Sequence, residues 1–438
     1  MRGRLQDFLC HTRRFLTCFK EITDFNESED ELIRSHVERI WVGESVGSGS
    51  ITSENTDLRG ENDDALYSFE ATEVDLAIYV YQAHDQGATE EYGDSGFERE
   101  EAVMMAHHWT LPCNELEGIW SSLEFDGQLQ TKLLEYVRTT ILFSDKNVNP
   151  DLISWNRVVL LHGPPGTGKT SLSRGLAQKL SIRLQGRYQY GKLLEINSHS
   201  LFSKWFSESG KMVQRMFDQI WSLVEDENAF VCVLIACEEF VHGVFTYMYL
   251  GWWIDEVESL AAARRAALSG NEPSDSIRVV NALLTQIDRL KKQKNVLILA
   301  TSNITEAIDI AFIDRADIKL HIDLPSQKAI YNIFVSSLEE LQRASIIQPP
   351  VTLMNWREYQ FYYRLSDCDD QTVHRAQVLY QIAGLAAGMS GRAIRKLPFL
   401  AHAGYIQSPT TAMDIFLAAL QRAVEAEQQS SSRLKTLT

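Results

Sequence analysis

Gly163-Pro164-Pro165-Gly166-Thr167-Gly168-Lys169-Thr170, followed by Ser171, is a run whose residue types and spacing suit one task, the holding of a phosphate chain. It meets the pattern of Gly, four residues, Gly-Lys and Ser or Thr at every defined position. The glycines let consecutive backbone N–H groups turn towards an anion, and Lys169 directs a point charge at the β- and γ-phosphates. The Thr170 hydroxyl is suited to Mg²⁺. The loop therefore implies ATP and Mg²⁺ as cofactors.

Five further residues suit the same chemistry. Asp255-Glu256 precedes Val257-Glu258-Ser259-Leu260. Beside a phosphate loop, Asp255 is a second Mg²⁺ ligand and Glu256 the base that polarises attacking water; away from one, such a pair is a solvated helix start. Asn303 ends the apolar run Val296-Leu297-Ile298-Leu299-Ala300-Thr301-Ser302. It either orients that water or makes an Asx turn. Arg315, in Asp314-Arg315-Ala316-Asp317, reads as an arginine finger for a neighbouring subunit or as a surface ion pair. Arg392, in Ser390-Gly391-Arg392, opens a helix and reads as a nucleotide contact in cis or as an ordinary helix-start arginine.

These groups need elements to position them. Arg157-Val158-Val159-Leu160-Leu161-His162 reads as a buried strand, and Ser171–Leu180 carries apolar residues at helical spacing. A strand, glycine loop and helix in that order bring a helix N-terminus to the phosphates. Further strands are expected from about Arg157, Lys192, Phe230, Val296 and Lys319, with helices between them, which predicts a parallel sheet with helices on both faces. Trp120–Phe143 has amphipathic spacing and leads into this α/β domain. Beyond Pro325 the pattern is helical over Lys328–Arg343, Val373–Gly388, Gly391–Gly404 and Thr411–Gln428, as expected of a helical lid.

Ahead of the α/β domain, Met1–Lys20 reads as an amphipathic helix, with no secretory apolar core or small-residue cleavage site after it. Glu27–Asp64 and Ala83–Glu101 are polar and read as loops, while Val74–Tyr81 alternates like a strand. The expected organisation is a small, partly ordered α+β domain over 1–111, an ATPase domain over 112–324 and a lid over 325–438.

The 438 residues, 45% hydrophobic, suffice for several cores, and a formal charge of −17 argues against a nonspecific nucleic-acid binder. Six cysteines without C-x-x-C spacing fit free thiols in a reducing compartment. No run of 18 apolar residues offers a membrane span.

Several stretches resemble the pachytene checkpoint AAA+ ATPases, also called the thyroid receptor-interacting protein 13 family. They are Lys192–Lys211, with Asn197-Ser198-His199-Ser200-Leu201-Phe202-Ser203-Lys204-Trp205-Phe206; Glu272–Asn281; Thr301–Glu306; and Leu397–Ala403. The similarity runs from about Trp109 to Val424 and is weak before Ser95. It implies a homo-hexameric ring that uses ATP to remodel HORMA-domain proteins, in some cases through a HORMA adaptor, in meiotic chromosome-axis and checkpoint control. It also implies a nuclear, chromosomal location with the cytoplasm as a second compartment, and no direct nucleic-acid or membrane partner. Trp205-Phe206 then lie on the loop facing the central pore; two aromatics tucked into a local core are the other reading.

One departure stands out. The family runs from apolar strand directly into Asp-Glu, whereas this chain reads Phe230-Val231-Cys232-Val233-Leu234-Ile235 and reaches Asp255-Glu256 only after Ala236–Ile254. That segment is rich in aromatics (Phe240, Phe245, Tyr247, Tyr249, Trp252, Trp253), unlike a surface loop. It is either a true insertion or translated noncoding DNA such as a retained intron, and its composition favours the second. The sequence therefore also admits a nucleotide-binding scaffold impaired in hydrolysis, or an AAA+ enzyme of another branch.

Overall fold

The computed structural model describes residues 1–13, 15–17, 21–25, 28, 30–43, 68–70, 76–93, 103–149, 152–197, 209–236, 274–303, 310–364 and 371–437. Two compact units divide the chain, Met1–Gln82 and Ala83–Thr438.

In the first unit a helix over Arg2–Asp7 runs on as a π-helical segment, Phe8–Arg13, and then β1, Phe15–Thr17. The expected single helix over Met1–Lys20 is therefore shorter. Strand β1 pairs antiparallel with β4 (Ser68–Glu70), and β2 (Glu21–Ile22) pairs with β3 (Ile40–Trp41). A short helix, Glu31–His36, starts where the Asp30 carboxylate accepts from Leu32 N at 2.9 Å, a side-chain cap for an otherwise unsatisfied donor. Leu5, Phe8, Leu9, Leu16, Phe25 and Ile33 form a small core. Leu76, Ile78 and Val80 pack against that core from residues that pair with no strand among the described residues. Over residues 76–81, the described part of Val74–Tyr81, the alternation thus marks alternating burial without a β-ladder.

The second unit is built on a seven-stranded sheet in the order β11-β7-β10-β9-β8-β6-β5. Its strands are β5 (Thr89–Gly93), β6 (Val103–Leu111), β7 (Val158–His162), β8 (Tyr190–Asn197), β9 (Ala229–Ala236), β10 (Val296–Ser302) and β11 (Ile318–His321). From β11 to β8 all pairings are parallel, while β6 and β5 add antiparallel at one edge. The expected parallel sheet is thus extended by two antiparallel strands. They lie in the region read as polar loop and N-terminal domain, and the compact unit that contains them begins at Ala83.

The central parallel strands β7, β9 and β10 are largely continuous apolar runs because both faces are covered. Val158, Leu160, Val231, Val233, Ile298 and Ala300 share one core with Phe217 and Ile220 of the helix Ser209–Val224 and with Leu283 and Ile287 of the helix Ser274–Leu290. The intervening Val159, Leu161, Cys232, Leu234, Leu297 and Leu299 point to the opposite face and are equally buried. The helix Lys169–Arg183 packs against β6, β8, β9 and β10.

The lid consists of helices Gln327–Arg343, Trp356–Arg364, Gln371–Leu385, Gly391–Ala401 and Met413–Leu437 around their own core, which includes Tyr331, Phe334, Ile394, Leu397, Phe416 and Leu420. Ser326 and Ser390 cap two of these helices by accepting from Ala329 N and Ala393 N, both at 3.3 Å. The predicted amphipathic helix at Trp120–Phe143 is broken into Ile119–Ser122 and Leu129–Asp145. The connecting strap, 123–128, has a use of its own.

Candidate nucleotide site

Strand β7 delivers the chain into the glycine loop, and the loop's path depends on missing side chains. Gly163 sits at φ +141°, and a Cβ there would collide with the Ile322 carbonyl oxygen, which belongs to the hinge leading from β11 to the lid. Two backbone hydrogen bonds lock this crossing: Ile322 N to His162 O at 2.8 Å and Gly163 N to Ser302 O at 3.2 Å. Gly166 and Gly168 also have positive φ, +73° and +94°, which glycine adopts without steric cost. Within the loop, the Thr167 hydroxyl donates to Pro164 O at 3.0 Å.

Gly168 is the N-cap of the helix Lys169–Arg183 and has no side chain to offer the first-turn N–H groups, which leaves that end suited to an anion. Lys169 is only 5% exposed, and its Nζ donates to the carbonyls of Gly163 at 2.8 Å and Pro164 at 2.7 Å. Carbonyl dipoles do not neutralise a buried ammonium, whereas a phosphate does. The loop as folded therefore fits a nucleotide phosphate chain.

A cleft of about 350 Å³ opens above the loop, within the range of small-molecule sites. Pro165, Gly166, Thr167, Gly168, Lys169, Thr170 and Ser171 line its floor, with Asn303 at one side. Asn303 is there because Ser302 pairs with His162 across β10 and β7, so the next residue lies beside Gly163. The lid supplies Gly391 and Arg392. Arg392 N donates to Gly166 O at 3.0 Å, which fixes this helix start directly on the loop. Lys169, Thr170, Asn303 and Arg392 are thus brought together.

Arg315 lies outside the cleft lining. Its Nε and Nη2 donate to the two Asp288 carboxylate oxygens at 2.9 and 2.7 Å, so the surface ion pair named above as the plainer reading exists. Asp255, Glu256, Trp205, Phe206 and most of Ala236–Ile254 lie outside the described residues.

Sequence reasoning missed one wall. Leu123, Glu124, Phe125 and Asp126 of the strap line the cleft, and Asp126 ties the strap to the lid by accepting from Ser326 N at 3.1 Å and from the Ser326 hydroxyl at 2.5 Å. Arg395, one helical turn beyond Arg392, also lines the cleft and donates to the Ser122 carbonyl. Its burial draws its pKa below the usual guanidinium value, against the pull of Glu124. The spacing of three from Arg392 was the available signal, since i and i+3 share a helix face. His321 also lines the cleft, with Nε2 2.8 Å from Asp323 and Nδ1 3.2 Å from His162 Nδ1. Burial, then the neighbouring His321 and Lys169, hold His162 below the ordinary histidine pKa and so favour its neutral form.

A largely parallel sheet with a phosphate loop at the end of a central strand, and a separate helical lid that reaches the loop through an arginine-bearing helix, defines an AAA+ nucleotide-binding module. The family model for the ATPase family associated with various cellular activities (AAA) matches residues 159–238 and 252–324, and that for the TRIP13-like AAA+ ATPase lid C-terminal domain matches 326–428. The pachytene checkpoint protein 2 homolog of Homo sapiens is 51% identical over 359 residues, covering 82% of this chain and 77% of that protein. The Danio rerio homolog is 45% identical over 406 residues, covering 93% and 85%. The solved structure of C. elegans PCH-2 superposes with a TM-score of 0.69 at 34% identity, covering 98% of this chain and 94% of that one. This chain belongs to the pachytene checkpoint protein 2 family of AAA+ ATPases.

Proposed function

We propose that this protein hydrolyses ATP to remodel HORMA-domain proteins, working as a homo-hexamer on nuclear chromosomes and also in the cytoplasm, with a HORMA adaptor presenting some substrates. The observation that carries the ATPase part of this reading is the convergence of Lys169, Thr170, Asn303 and Arg392 on one cleft between sheet and lid, and membership of the pachytene checkpoint protein 2 family supports the HORMA part. Lys169 and the first-turn N–H groups bind phosphate, and Asn303 orients the attacking water for Glu256 as base. Thr170 and Asp255 would hold Mg²⁺, which when bound would supply positive charge beside the phosphates. Arg392 senses nucleotide from the lid, Arg315 reaches the nucleotide of a neighbouring subunit, and Trp205-Phe206 grip the substrate in the pore. The test is the ATPase rate of the purified chain with and without a HORMA-domain protein, alongside conversion of that protein between its conformers. Stimulated turnover with conversion is expected; turnover indifferent to any HORMA protein would defeat the proposal.

A second reading, a nucleotide-binding scaffold that does not turn over, is favoured by the break in the AAA match at 239–251, inside Ala236–Ile254. Strand β9 brings Ile235 opposite Ala300. Continued in register without the extra segment, Asp255 and Glu256 would follow opposite Thr301 and Ser302, beside Asn303. Removing Ala236–Ile254 is therefore expected to raise ATPase activity, and equal rates for both forms would reject the scaffold reading.

A further inference from the structure

We propose that Asp288 is a positioning residue for Arg315, holding its guanidinium in the orientation from which it is presented to a neighbouring subunit's nucleotide. The inference rests on the trans-acting reading of Arg315 given above. Arg315 lies in the turn that follows the short helix Ile310–Ile313, and that turn is fixed at both ends. Arg315 N donates to Phe312 O at 3.1 Å and Ala316 N to Ile313 O at 3.2 Å, with Phe312 fully buried. Two residues on, the Asp317 carboxylate accepts from Tyr136 Oη at 2.7 Å, Asn156 N at 2.6 Å, Arg157 N at 2.8 Å and Asn156 Nδ2 at 3.0 Å. Asp317 N in turn donates to Val158 O at 3.0 Å. The backbone under Arg315 is thus clamped to the start of β7 and to the helix Leu129–Asp145.

What remains is the long side chain, and Asp288 fixes that. The contact is fork to fork, with Nε and Nη2 each facing one carboxylate oxygen, a geometry that sets the plane of the guanidinium as well as its place. Asp288 is itself anchored, between the buried Ile287 and the Lys291 ammonium at 3.0 Å. Burial alone would raise its pKa, but the bonds from Arg315 and Lys291 outweigh that and hold the carboxyl below its usual range. The pair is partly open to solvent, with side-chain exposures of 25% for Arg315 and 35% for Asp288. Pairs of that exposure add little to folding stability, so a purely structural purpose accounts poorly for such a constrained arginine. Presentation accounts for it better, because a side chain ordered in advance loses less freedom when it meets its phosphate.

Mixed rings separate the possibilities. A Lys169→Ala subunit cannot use ATP but can donate Arg315; an Arg315→Ala subunit can use ATP but cannot donate. Rings of both, with co-assembly verified by native mass spectrometry, are expected to recover ATPase activity. Adding Asp288→Ala to the donor is expected to cut the recovered rate about tenfold or more, since small misplacements of a catalytic group carry penalties of that size. The same change in the Arg315→Ala subunit is expected to leave recovery intact, and Asp288→Glu in the donor to restore part of it. Melting temperatures of the single variants check that each folds. Full recovery, or a faster rate, with the Asp288→Ala donor would overturn the proposal. No recovery in the starting mixture would instead remove the trans-acting reading of Arg315 and the proposal with it.

Discussion

On the sheet side of the nucleotide cleft the chain is held by backbone at nearly every step. Strand β7 is buried and pinned between β10 and β11, the loop takes three positive-φ glycines, and the Ile322 hinge is locked over Gly163 by main-chain bonds. On the lid side the contacts among the described residues are mostly made by side chains. They include one main-chain bond from Arg392 N to Gly166 O, the Asp126–Ser326 pair, and Arg395 reaching Ser122. A wall fixed by backbone keeps its shape whatever is bound, whereas one fixed by separable side-chain contacts can dock and release. The difference assigns binding to the sheet wall and response to the lid wall.

Changes on the sheet wall test the first half of that contrast and have the larger expected effects. Lys169→Ala removes a buried cation whose charge-assisted bonds are worth roughly 1.5–3 kcal/mol each, so nucleotide affinity is expected to fall about 100-fold or more in a fluorescent-nucleotide titration. Unchanged affinity would show that the loop does not direct this lysine at phosphate. Gly163→Ala forces a side chain into a φ of +141° and against the Ile322 carbonyl. Strain of about 3 kcal/mol is expected, seen as a melting temperature lowered by several degrees. A normal melting temperature would mean that the hinge crossing is soft.

At the contacts between loop or strap and lid the effects should be smaller and shifted from stability to function. Gly166→Ala keeps a left-handed backbone at a cost of about 1–2 kcal/mol and brings a Cβ to 2.9 Å from Ser390 Oγ. Weaker nucleotide binding is expected as the lid helix moves away; a drop in melting temperature as large as that of Gly163→Ala would erase the contrast. Ser326→Ala loses both the cap on Ala329 N and the hydroxyl bond to Asp126, about 1 kcal/mol. Its melting temperature is expected to fall by a few degrees, with Asp126→Asn, which spares the cap, falling less. If Asp126→Asn fell as far, the tie to the strap rather than the cap would be the main contact.

The same contrast explains what could be read in advance. Val158–Leu161 and Val296–Ala300 are continuous apolar runs because the sheet is covered on both faces, and the glycine loop between strand and helix has one spacing. Local rules therefore reach that wall. Strand β5 escaped them because Thr89-Glu90-Glu91-Tyr92-Gly93 is an edge strand of polar composition, held by pairing with β6 rather than by its own apolarity. The strap escaped because Leu123–Asp126 continues the apolar spacing of Trp120–Phe143; only its bonds to Ser326 and the lid give it a separate path. Arg315 was legible as a candidate, but its partner lies 27 positions away in the chain, and no local pattern joins Asp288 to it.

The crossing of Ile322 over Gly163 also determines how motion would spread through the molecule. The link from sheet to lid lies on the first glycine of the loop, so a lid rotation about it would have its axis close to the loop. Displacement in a rotation grows with distance from its axis. The loop would hardly shift, while the ends of the helices Gly391–Ala401 and Met413–Leu437 would sweep the widest arcs. The nucleotide cleft thus sits at the fulcrum of a lever whose long arm is the lid.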